Sequence, residues 1–97
     1  MIIQITEEAA NWFKEEYDIA EEASLRFFVR YGGGMAGRLP GFSLGVAFEQ
    51  PVRVHTETTV AGLTFFIEEA DAWYFEDENL IITLDEKTNE PQFTYEA

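Results

Sequence analysis

Ile3 and Ile5 flank a polar Gln4 and lead into Thr6, whose hydroxyl can accept from the free amides of a first helical turn. Glu7 and Glu8 follow where a helix dipole favours negative charge, and Ile5 with Ala10 occupies the two positions of a hydrophobic staple. A spacing of four residues joins Ala9, Phe13 and Tyr17 on one face, which predicts a helix over residues 6 to 17. From Leu25 the pattern changes. Residues 25 to 31 are aromatic and β-branched and run into Gly32, Gly33 and Gly34, a strand entering a loop. Phe42, Leu44, Val46 and Phe48 alternate with small residues, a second strand with one face inward. After Pro51, residues 52 to 56 and 63 to 67 read as extended segments joined by a turn at Ala61 and Gly62. Residues 69 to 75 place Ala70, Trp73 and Tyr74 at helical spacing, a short second helix. Residues 80 to 84 and 93 to 95 complete the strands, with a polar turn region between them. The sum is an α+β fold: one N-terminal helix, a mostly antiparallel β core and a short second helix.

The order of these elements, with several anchor residues, resembles the HesB-like family of A-type iron-sulfur cluster carriers, and within it the cysteine-poor YneR-like branch. The anchors are Ile3 to Ala10, Leu25-Arg26-Phe27-Phe28-Val29-Arg30, Gly41-Phe42-Ser43-Leu44, Ile67-Glu68, Trp73-Tyr74-Phe75 and Leu80-Ile81-Ile82. The resemblance spans nearly the whole chain and implies a single HesB-like domain over residues 1 to 97. The family holds its cluster with one Cys in a Gly-Cys-Ser-Gly loop and two in a Cys-Gly-Cys tail. Here seven residues, 34 to 40, stand between Gly33 and Gly41 in place of Cys-Ser, and the sequence stops at Ala97, about where the tail would begin. The resemblance therefore carries the fold and not the cluster chemistry.

Composition sharpens this. The 97 residues contain no cysteine, which excludes disulfides, thiolate-ligated zinc or iron-sulfur clusters and a Cys nucleophile. Six Lys plus Arg against nineteen Asp plus Glu give a net charge of −13. That charge repels phosphate backbones and anionic headgroups, so nucleic acid and membranes are not expected partners, while basic proteins are allowed. The first residues lack a signal-peptide pattern and no stretch approaches a membrane span, so a cytoplasmic location is expected.

Candidate chemistry is sparse. Gly32, Gly34 and Gly37 match Gly-x-Gly-x-x-Gly after a strand, but no helix follows to offer its N-terminus to a phosphate. Positive φ in a long hairpin loop is the simpler use of these glycines. The loop, with Gly32, Gly33, Gly34, Met35, Gly37, Arg38, Leu39 and Gly41, is the expected ligand or partner site, offering the exposed apolar Met35 and Leu39 beside one cation. Arg38 would pair with a carboxylate of a ligand or partner, or with a local Glu. His55 and Glu57 would share a strand face and could give two ligands to a metal, where a tight site needs three or four. The acidic groups Glu68, Glu69 and Asp71, and Glu76, Asp77 and Glu78, lack calcium-loop spacing. Ser24 and Ser43 have no His-Asp context. Trp12 and Trp73 are candidates for partial exposure at a homodimer or partner interface. The expected function is a non-catalytic binding or adaptor protein with no cofactor. A weak iron or other metal binder using His55 and carboxylates is the alternative, and an enzyme ranks last.

Overall fold

Thr6 does cap the first helix: its Oγ1 accepts from the Ala9 amide at 3.2 Å, and α1 runs Glu7–Glu16. Ahead of it lies β1, Ile3–Ile5. The structure is a computed structural model and describes residues 1–32 and 38–97. After α1 come β2 (Ala23–Tyr31), β3 (Phe42–Phe48), β4 (Val54–Val60), β5 (Leu63–Glu68), a 3₁₀ helix (Glu69–Tyr74), β6 (Asn79–Asp85) and β7 (Glu90–Glu96). The fold is α+β and mostly strand. Two departures from the sequence pattern have simple causes. The second helix winds with 3₁₀ geometry, as short helical runs commonly do. Val52 and Arg53 lie outside the ladder, which β4 enters at Val54.

The strands form two sheets, one in the order β1-β6-β7 and one in the order β3-β2-β5-β4. Pairs β2/β3, β4/β5 and β6/β7 are antiparallel, as expected of hairpin neighbours. Pairs β1/β6 and β2/β5 are parallel, with Ile3 opposite Leu80 and Ala23 opposite Leu63. Parallel pairing needs a long crossover, so local pattern cannot reveal it.

The β4-β5 hairpin closes through Ala61 and Gly62, both at positive φ (54° and 82°), between the paired Val60 and Leu63. Two positive φ values are the type I′ signature, whose favoured sequence is Asn-Gly. Ala61 bears the left-handed strain that an L side chain with no local hydrogen bond cannot offset. Ala61→Asn is expected to raise stability by about 0.5–1 kcal/mol, read as a higher urea midpoint at constant slope.

One aromatic core joins the layers. Phe13 of α1 meets Phe27 of β2 and Phe65 of β5 at 6.0 and 5.5 Å between ring centroids, and Phe27 meets Phe93 of β7 at 5.8 Å. At the other end Tyr74 touches both Phe42 of β3 and Tyr95 of β7, at 6.3 and 6.4 Å, so the 3₁₀ helix ends between the two sheets. This placement leaves the preceding residue, Trp73, at the surface.

Candidate functional site

Among the described residues, the 3₁₀ helix and its surroundings hold most of the side-chain hydrogen bonds. Glu68, at the end of β5, is buried, and its two oxygens accept from the amides of Val52 and Arg53 at 3.1 and 3.0 Å. Asp71 is buried too and takes Arg26 Nη2 at 2.8 Å, while Glu49 takes Nη1 at 3.2 Å. Burial works against the Arg26 charge, yet the hydrogen bonds and fields of Asp71 and Glu49 outweigh it and hold its pKa above the ordinary value. Glu68 and Asp71 are thus committed to internal partners, while Glu69 between them is exposed. A cleft of about 470 Å³ lined by Arg26, Val52, Arg53, Glu68, Glu69 and Ala70 opens here. Arg26, half-buried, and Glu68, buried, already have protein partners.

Beyond the helix, Arg38 closes the glycine-rich loop onto the same segment. Its backbone amide and that of Leu39 both donate to the Tyr74 hydroxyl, the second at 3.1 Å. Its guanidinium donates to Glu78 at 2.9 Å, to Glu76 at 3.3 Å and to the Tyr74 carbonyl at 3.3 Å. The Arg38 hydrogen bond holds the Glu78 carboxyl below its usual range. Arg38 therefore meets glutamates some forty positions away instead of a local one, and its charge is used inside the molecule. Leu39, expected at the surface, packs half-buried against the core. Gly32 and Gly41 mark the loop's base at φ 104° and 82°, with the Gly32 amide donating to the Gly41 carbonyl at 2.9 Å. The other expected loop residues, Gly33, Gly34, Met35 and Gly37, lie outside the described residues.

His55 and Glu57 do not meet as a pair. The imidazole Nδ1 lies 3.7 Å from Glu69, and Glu57 is exposed across the ladder from Phe66. A register shift between Val54 and Thr56 interrupts the plain alternation that would place 55 and 57 on one face. Among the described residues no group of three or more His, Asp or Glu side chains is placed to hold a metal. Ser43 is buried, and its Oγ finds no partner among them.

What the clasp leaves in water is aromatic. Tyr31, the last residue of β2, is 86% exposed, and Trp73 is 54% exposed. Phe42, opposite Tyr31 in the β2/β3 register, lies 5.6 Å from each ring, at interplanar angles of 89° and 79°. Trp12, the other tryptophan singled out, is half-buried against Phe13. Sequence pattern points to Trp73 and misses Tyr31 and Phe42, since one strand formula covers inward and outward aromatics alike. The signal for Tyr31 is its place next to Gly32, where β2 leaves the core.

The chain is 45% identical over 96 residues to a Bacillus subtilis protein named pyruvate dehydrogenase inhibitor, covering 99% of this chain and all of that one. It belongs to the family of that protein. Uncharacterised proteins of Staphylococcus saprophyticus, 40% identical over 94 residues, and Staphylococcus aureus, 35% identical over 97 residues, are further members of the family. They are covered over 94% and 98% of their lengths, so the likeness extends through the whole domain. No protein-family profile matches the chain, and no solved structure matches it. Among the described residues no helix is long and apolar enough to cross a membrane.

Proposed function

We propose that this protein is a non-catalytic regulator that docks on another protein through Tyr31, Phe42 and Trp73. The observation that carries this reading is the pair of large rings left in water beside a fixed loop base. Aromatic side chains held rigidly at a surface are typical binding hot spots. The Arg38 clasp supports it, because a surface held by internal ion pairs loses little conformational freedom on binding. The name of the Bacillus relative supplies the partner: pyruvate dehydrogenase, which the protein would inhibit by attachment rather than by chemistry. The HesB-like resemblance fits as the history of the scaffold, a carrier fold with its thiolate ligands gone and its surface turned to protein contact.

The test is an assay of purified pyruvate dehydrogenase complex with increasing amounts of the protein. Wild type is expected to inhibit and to co-sediment with the complex. Trp73→Ala and Tyr31→Ala are each expected to weaken inhibition roughly 30-fold, about 2 kcal/mol per hot spot, with circular dichroism unchanged. A wild-type protein that neither inhibits the complex nor co-sediments with it would refute pyruvate dehydrogenase as the partner, and inhibition that survives both substitutions would refute the docking patch.

A further inference from the structure

The three exposed or half-exposed rings have an arrangement that points to the chemistry of their occupant. Phe42 is the middle ring, with near-perpendicular neighbours contributed by β2 and by the 3₁₀ helix. Tyr31 and Trp73 both keep more than half of their area open to solvent. Aromatic faces carry negative potential and attract ammonium and guanidinium groups, most strongly when several rings converge. The protein adds to that potential through its net charge of −13, and Asp77, exposed in the turn after the helix, has no partner among the described residues.

The cations in the neighbourhood do not compete for this place. Arg38 is taken up by Glu78, Glu76 and the Tyr74 carbonyl. Arg30 precedes Tyr31 on a strand and so points to the opposite face of the sheet. The same sheet already pairs a guanidinium with a ring, Arg26 over Phe28 at 5.9 Å, but the rings of the patch have no such cover among the described residues. A purely apolar partner would use the ring area and leave the protein's net charge of −13 uncompensated. A basic one satisfies both.

From these observations we infer that Tyr31, Phe42 and Trp73 cradle a lysine or arginine side chain of the docking partner. The inference rests on the docking reading above and specifies what enters the patch. The experiment uses acetyl-arginine amide as probe, with acetyl-citrulline amide as its uncharged match in shape, titrated into ¹⁵N-labelled protein at constant ionic strength. The indole N–H of Trp73, assigned with Trp73→Phe, is expected to shift with the arginine probe in the millimolar range. It should respond about tenfold more weakly to citrulline, and Tyr31→Leu should weaken the arginine response several-fold. Equal response to both probes, no response to either, or shifts confined to acidic residues away from Trp73 would each overturn the inference. The dehydrogenase assay separates the two readings. Inhibition by a protein whose Trp73 ignores arginine removes the cradle alone, whereas a cradle that takes arginine in a protein without effect on the dehydrogenase removes that partner alone.

Discussion

Phe13→Ala is expected to lower the free energy of unfolding by about 3–5 kcal/mol, read as a large fall in the urea midpoint. Phe13 has no exposed surface, and its ring meets those of Trp12, Tyr17, Phe27 and Phe65. It is the residue through which α1 grips the four-stranded sheet. Partners fixed in the four-stranded sheet and along α1 cannot all relax into the space, so a cavity term adds to the lost transfer energy. For a domain of this size, whose whole stability is of order 5–10 kcal/mol, that leaves little margin. A loss below about 1 kcal/mol would mean that the site collapses freely and that the aromatic contacts are not a rigid joint.

Tyr74→Phe should act where the fold meets the docking patch. It keeps the ring between Phe42 and Tyr95 but removes the oxygen that accepts from the Arg38 and Leu39 amides. Two part-buried donors then lose their acceptor, at about 1–3 kcal/mol. The effect should also be local: hydrogen exchange at the Arg38 and Leu39 amides should quicken more than exchange in β2 or β6. Dehydrogenase inhibition should weaken as well, because Trp73 and the Arg38 clasp share this anchor. Unchanged exchange at residues 38 and 39 would show that the guanidinium contacts to Glu76 and Glu78 hold the loop base without the hydroxyl. Burial, first, and then Tyr74 raise the Tyr95 phenol beside this anchor above its ordinary pKa.

Local signals in the sequence reached the elements and stopped short of their assembly. Thr6, the run of aromatics from Leu25 and the Ala61-Gly62 turn each encode a short-range choice, and the structure contains all three. The parallel partners of β1 and β2 depend on packing across most of the chain, which no window of residues expresses. For the site, the loop glycines gave the location of its base. Arg38 read as the partner of a ligand carboxylate or a local Glu because its glutamates lie at 76 and 78, brought to it by a turn in which Glu76 and Asp77 adopt φ of 46° and 66°. The patch was half legible: Trp73 stood out, whereas Tyr31 and Phe42 acquire their roles only once β2 and β3 pair.

The pairing of Ile3 with Leu80 has a consequence for the order of events on the ribosome. β1 finds its hydrogen-bonded neighbour in β6, a strand synthesised only after α1 and four further strands. Until residues 79 to 85 have left the exit tunnel, Ile3, Ile5 and the inward side of α1 have no second sheet to cover them. Contacts of such sequence separation also slow folding, because the whole intervening chain must be closed into a loop first. The nascent protein should therefore remain a target for chaperones until β6 has emerged, and a version shortened before β6 should not fold.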